Sequence, residues 1–142
     1  AARHGLAPRC RRAGGALLDS IAWANAPDLA VVEGAAEDAD RIGITAPAFG
    51  VAETGTLVLA SAPHSPTSPA YLPEAHVAVI RRDAVVATYD DAWAALAAHP
   101  DFPPRVVAWI TGPSRTADIE QTILLGVHGP RLQHIVILDG DG

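Results

Sequence analysis

Three polar clusters hold the side chains with the widest chemical range in this 142-residue chain. The first is Gly50 to Ser61, GVAETGTLVLAS, where Glu53 is the only formally charged residue between Arg41 and Glu74. A carboxylate among apolar neighbours has a raised proton affinity unless it is paired, which suits a general base or an acyl-accepting nucleophile. The structural alternative has Glu53 capping nearby backbone N–H groups or pairing with Arg115, and buried ion pairs are often purely structural. Gly55 lets the backbone turn closely around a ligand, which makes Thr54, Gly55 and Thr56 candidate contacts.

The second cluster is TGPSRTADIE, from Thr111. Pro113 presets a turn, Ser114 or Thr116 can cap a helix, and the N–H groups of that helix would carry a partial positive charge. A carboxylate or phosphate would bind there, with Arg115 adding a planar fork of donors and Asp118 beside it; the plain alternative is an ordinary cap with a solvent-facing Arg. On the same helix Glu120 falls among Ala117, Ile119, Ile123 and Leu124, the apolar face. A carboxylate there must be paired or protonated, so Glu120 is expected to support the site through Arg115 or the hydroxyls of Thr54 or Thr56. The third cluster, GVHGP, places His128 on a loop between glycines, as a proton shuttle, a ligand contact or a structural hydrogen-bonder.

These clusters need elements to hold them. RVVAWI before Thr111 and HIVIL after Pro130 read as strands around the helix, a βαβ unit with both carboxyl ends at one edge of a parallel sheet. Upstream, Ala13 to Ala26 reads as a helix closed by Pro27, and Leu29 to Val32, Ile42 to Thr45, Thr56 to Ala60 and His76 to Ile80 read as strands. SAPHSPTSPAYLP, with four of the twelve prolines, is a loop. After a turn at Arg81 to Ala84 and a short strand at Val85 to Ala87, Thr88 and Asp91 form a variant capping box. The helix they open is expected to bury Trp93, Leu96 and Ala97. Continuous apolar runs and alternating elements predict an α/β three-layer sandwich with a mainly parallel sheet.

Length predicts one domain over residues 1–142. A net charge of −6, with ten scattered basic residues that are all Arg, argues against a nucleic-acid surface. No apolar run is long enough for a membrane span, and a single cysteine, Cys10, excludes an internal disulfide; a cytoplasmic setting fits. His4, His64, His76, His99 and His134 show no metal-ligand spacing, so no metal is expected. The acid-free start AARHGLAPRCRRAGG, with four Arg, reads as a fragment start or a solvated basic segment rather than a targeting peptide, so the N-terminal part is expected to be truncated or incomplete.

GITAPAFGVAETGTLVL, the LPEAHVAV run at Leu72 to Val79, GPSRTADIE and GVHGP occur in the order found in the LUD domain family, which the chain resembles over about residues 42–138. The resemblance implies a fold of the NagB, ribose-5-phosphate isomerase and CoA-transferase type, whose members bind acyl-CoA or sugar phosphates at glycine-rich loops. It also implies a part in converting L-lactate to pyruvate beside two partner proteins, one of them an iron–sulfur protein. With neither the cysteines for such clusters nor a dinucleotide fingerprint, the chain is expected to hold no redox cofactor. Its expected role is an accessory subunit that binds a small carboxylate or a partner; the alternative is an acyl-CoA or sugar-phosphate enzyme using Glu53. Where family members carry glycine and arginine after the TGT strand, this chain has APHSPTSPAY, so an anion grip there is absent or passes to His64 and the hydroxyls.

Overall fold

A computed structural model describes residues 9–117, 123–125 and 129–140, with 115–117 and 123–125 described as backbone. Five strands form an all-parallel sheet: β1 (Arg9–Arg12), β2 (Ala30–Glu33), β3 (Ile42–Thr45), β6 (Ala75–Arg81) and β11 (Leu132–Leu138). Their spatial order is β2-β1-β3-β6-β11. A second sheet of four strands has the order β7-β4-β5-β8, from β4 (Phe49–Val51), β5 (Thr56–Ala60), β7 (Val85–Val86) and β8 (Val107–Thr111). Here β5 runs antiparallel to both neighbours, β4 and β8. The fold is α/β with a mainly parallel central sheet, as its apolar runs predict.

The alternation of side chains along a strand explains how the layers stack. On β5, Leu57 and Leu59 join Ala70 of a 3-10 turn and Ala78 of β6 in a core that also takes Ala108 and Ile110. Val58 faces the other way and meets Ala92 and Leu96 of α2 (Tyr89–Ala97). On the far side of the parallel sheet, Ile42, Ile44 and Val79 pack with Cys10 and Leu18. Each large apolar side chain fully buried this way contributes roughly 1.5–3 kcal/mol.

Several expectations change. The helix expected over Ala13 to Ala26 is only α1 (Ala16–Asp19) followed by a 3-10 turn at Trp23–Asn25. Ser20 Oγ donates to the Leu17 carbonyl and Trp23 Nε1 to that of Leu18, both at 2.8 Å, taking acceptors that a longer helix would use. In α2 the Thr88–Asp91 capping box forms, but Ala92 and Leu96 are the buried residues. Trp93 is 53% exposed and Ala97 is exposed, because the apolar stripe facing Val58 is narrow. The Arg-rich start is no solvated segment where it is described: Arg11 in β1 is buried and its Nε donates to buried Asp40 at 2.7 Å.

The βαβ unit expected over residues 105–138 does not form. β8 lies in the second sheet and β11 in the parallel one, and between them β9 (Arg115–Ala117) pairs antiparallel with β10 (Ile123–Leu125). Thr116 sits opposite Leu124 in this ladder, so neither it nor Ser114 caps a helix. β-Branched Thr116 and Ile123 are at ease in paired strands and lose side-chain freedom in a helix.

Two positions make the packing testable. Gly43 of β3 lies against the backbone of Pro69, whose carbonyl oxygen would be 1.7 Å from an added Cβ. Overpacking of this kind costs about 1–3 kcal/mol or more, so Gly43→Ala is expected to lose at least that much unfolding free energy in urea titration, seen as a lower midpoint at unchanged slope. His76 of β6 is 1% exposed and bonded to Thr45 Oγ1 at 2.8 Å, and its burial pushes its pKa down from 6.5 to about 4. The unfolded chain therefore takes up this proton near pH 6.5 while the folded chain resists until about 4. Stability from His76 is full above pH 6.5 and is lost as pH falls across that window, by on the order of 3 kcal/mol. Urea unfolding from pH 7.5 to 4 should show that slope in the native chain and a flatter one in His76→Gln.

Candidate functional site

The turn from β4 to β5 carries the ETGT cluster. Gly55 adopts φ +69, a left-handed conformation with open space where a side chain would stand. Two backbone bonds tie the turn to the end of β7 and the start of α2: Ala52 N–H to the Val86 carbonyl at 2.9 Å and Glu53 N–H to that of Ala87 at 3.2 Å. Glu53 is exposed, so it is not the carboxylate enclosed by apolar groups that its neighbours predict; the hairpin turn projects into solvent. Its Oε1 accepts the Tyr89 N–H at 3.0 Å, which caps one of the unpaired donors at the start of α2.

Behind that turn is a cluster of hydroxyls. Thr56 is fully buried, and its Oγ1 lies 2.7 Å from each of Thr54 Oγ1, Tyr89 Oη and Thr111 Oγ1. A hydroxyl has one proton and two acceptor sites, so Thr56 is saturated by three partners. Tyr89 Oη is bonded to Thr54 and Thr111 as well, so the four hydroxyls form one internal network with Thr54, Tyr89 and Thr111 on its rim. Hydrogen bonds from Thr56 first, then Thr54 and Thr111, hold the Tyr89 phenol below its ordinary pKa, against desolvation and the nearby Glu53 charge.

An aromatic array extends the rim. Trp109 stacks with Tyr89 at a centroid distance of 5.3 Å and with Trp93 at 6.2 Å. Tyr89 and Trp93 are four residues apart on one face of α2, while Trp109 and Thr111 share one face of β8 opposite Val58 and Thr56. Sequence reasoning missed Tyr89, Thr111 and Trp109. The signal was present as these two periodicities, but it acquires meaning only when β8 pairs with β5.

The second cluster begins where β8 ends. Gly112 turns the chain at φ +77, and the Ser114 N–H donates to the Pro130 carbonyl at 2.8 Å. A Cβ on Gly129 would stand 3.2 Å from Ser114 Cβ, so this glycine lets the two turns approach. Thr54–Thr56 thus adjoins Thr111, and Ser114 adjoins Gly129–Pro130. Arg115 and Thr116 are in β9 as backbone, and Asp118, Glu120 and His128 lie outside the described residues. Among the described residues no group of three His, Cys, Asp or Glu could hold a metal ion, and no helix is long and apolar enough to cross a membrane.

This arrangement presents a cluster of hydroxyls beside an aromatic surface, with Glu53 reachable next to it. An early-ionising phenol has a direct readout. Phenolate absorbance is expected to develop at lower pH than in free tyrosine, and Tyr89→Phe should remove that early component; an unchanged titration curve would contradict the bonding around Thr56.

A family model described as the LUD domain matches residues 4–138. The chain is 36% identical over 103 residues to a lactate utilization protein C of Bacillus licheniformis, covering 70% of this chain and 43% of that one. It is 39% identical over 108 residues to the protein of the same name from Halalkalibacterium halodurans, covering 73% and 46%. The Bacillus subtilis protein of that name is 34% identical over 103 residues, covering 70% and 43%. The chain therefore spans less than half the length of these curated relatives. A crystal structure of a DUF162 family protein from Deinococcus radiodurans superposes with a TM-score of 0.65 at 25% identity, covering 98% of this chain and 79% of that one. On the match over nearly its whole length, the chain belongs to the LUD domain family.

Proposed function

We propose that this chain serves L-lactate utilisation as an accessory subunit that binds a small carboxylate and holds no redox cofactor of its own. The observation that carries this reading is the 33–39% identity to proteins named lactate utilization protein C. In this reading the chain works in the cytoplasm with the other lactate-utilisation subunits, including an iron–sulfur protein through which electrons pass. The carboxylate sits at the rim of Thr54, Gly55, Tyr89 and Thr111, over buried Thr56 and close to Ser114. The rim hydroxyls and the Arg115 guanidinium contact it, with Thr116, Asp118 and His128 completing the wall and Glu120 supporting Arg115.

A second reading is favoured by one observation: Glu53 is exposed beside Tyr89 and open to a substrate. As an acyl-CoA enzyme, the Glu53 carboxylate would attack the thioester carbonyl, forming a mixed anhydride and expelling the CoA thiolate. As a sugar-phosphate isomerase, it would remove a proton next to the carbonyl.

Calorimetric titration separates the two. L-Lactate or pyruvate is expected to bind, with about tenfold weaker affinity in Arg115→Ala and a smaller loss in Tyr89→Phe, as a tenfold change corresponds to about 1.4 kcal/mol for a charge-assisted contact. Binding of neither acid, or binding indifferent to both substitutions, would refute the proposed site. Turnover of an acyl-CoA or sugar phosphate that disappears in Glu53→Gln would establish the enzyme instead.

A further inference from the structure

The parallel sheet has a point where its winding reverses. From β1 the chain moves to β2 on one side, then crosses back to β3 on the other and continues outward to β6 and β11. At such a reversal the connections leave the carboxyl ends of the two central strands in opposite directions, and a crevice opens where α/β sheets take ligands. Here the carboxyl ends of β1 and β3 lead into Gly14–Gly15 and Ala46, and both line a cleft of about 270 Å³. That cleft shares Ser61, Ala62, Asp101 and Pro104 with a wider one of about 850 Å³. The pair lies at the far end of β5 from the hydroxyl cluster, since five residues of extended strand from Thr56 to Ser61 span roughly 17 Å.

The two clefts differ in chemistry. The first has small apolar walls, Ala46, Ala48 and Ala60, with Leu17 and Phe102, and exposed Gly15 also lines it. Gly15 stands at φ +130 with nothing within 4 Å of the place a Cβ would occupy, so a flat ring can rest against backbone there. The second is walled by four prolines together with the hydroxyls of Ser61, Thr67, Ser68 and Tyr71, and it holds one cation, exposed Arg105. Ser61 Oγ accepts the Val106 N–H at 3.0 Å and Ser68 Oγ accepts the Ala36 N–H at 2.9 Å. Each hydroxyl is thereby fixed in place and keeps its own proton to donate. Asp101, at the junction, is an acceptor for a ring amino group or a sugar hydroxyl.

We propose that this crevice is a mononucleotide-binding site, separate from the carboxylate site: the heterocycle enters the small-residue slot, the ribose lies at Asp101, and the phosphate reaches Ser61, Ser68 and Arg105. Small-molecule sites combine an apolar majority with a few convergent polar groups, as these clefts do together. An Arg fork and hydroxyl donors suit a phosphate, and one cation is sufficient for a monophosphate of modest affinity.

Calorimetry of the full chain with AMP, adenosine and inorganic phosphate tests this. AMP is expected to bind more tightly than either adenosine or inorganic phosphate. Arg105→Ala should weaken AMP about tenfold and leave adenosine unchanged, and Ala62→Leu, at an exposed position on the junction, should weaken both at least tenfold. Amide shifts on adding AMP should centre on Gly15, Ser61 and Ser68, which locates the site even if Ala62→Leu folds poorly. No AMP binding at millimolar concentration, equal binding of inorganic phosphate, shifts centred on Thr54–Thr56, or AMP affinity unmoved by Arg105→Ala would each overturn the proposal. Failure of lactate to bind would leave this result untouched, because Tyr89 and Arg115 play no part in it.

Discussion

The strand β5 is buried on both faces, and that double burial is the constraint on which the rest of the molecule depends. Leu57 and Leu59 must reach the core against β6 while Val58 reaches α2, so a slip of one residue would present every side chain to the wrong layer. With its register fixed, Thr56 is opposite Thr111 and Val58 is opposite Trp109. The hydroxyl hub and the stacked aromatic rings are consequences of that register. So is the placing of Ser61 and Ala62 at the mouth of the crevice beyond its other end.

Much of this was legible in sequence because runs of apolar and β-branched residues bounded by turn-formers have little alternative to being strands. Ile42–Thr45 and Thr56–Ala60 coincide with the strands read from sequence, and the capping box at Thr88 and Asp91 opens its helix. The failures have a common origin in tertiary competition. Ala13 to Ala26 has helical periodicity, but Ser20 and Trp23 side chains take the carbonyls that would have continued it. TGPSRTADIE carries a plausible cap, yet Thr116 finds a strand partner in Leu124. Periodicity cannot weigh a partner that lies elsewhere in the chain.

The candidate site was legible to a different degree. ETGT was found because a lone carboxylate beside a glycine is conspicuous, and Ser114 because it follows a Gly-Pro turn. Tyr89 and Thr111 were invisible as functional groups, since their hydroxyls meet only through Thr56. Glu53 illustrates the limit from the other side. Its isolation among uncharged residues in sequence implied enclosure, whereas a hairpin turn exposes its tip whatever the neighbours are.

The crossing connection between β2 and β3 shows why charge is buried beside β1 of the parallel sheet. Residues 34–41 are too few and too polar to lay an apolar helix over the sheet, so the loop must be held by directed bonds. Asp40 supplies them: Oδ1 accepts from Arg9 Nε at 2.9 Å, while Oδ2 accepts from Arg11 Nε at 2.7 Å and the Glu37 N–H at 2.9 Å. Burial pushes the Asp40 pKa up, yet the bonds from Glu37, Arg11 and Arg9 together hold it below its ordinary value. A buried pair adds little net stability compared with apolar packing, but losing one partner leaves the other charge stranded. The arginines of β1 therefore pin the connection that makes the sheet reverse its winding. The crevice at the carboxyl ends of β1 and β3 exists because that crossing stays in place.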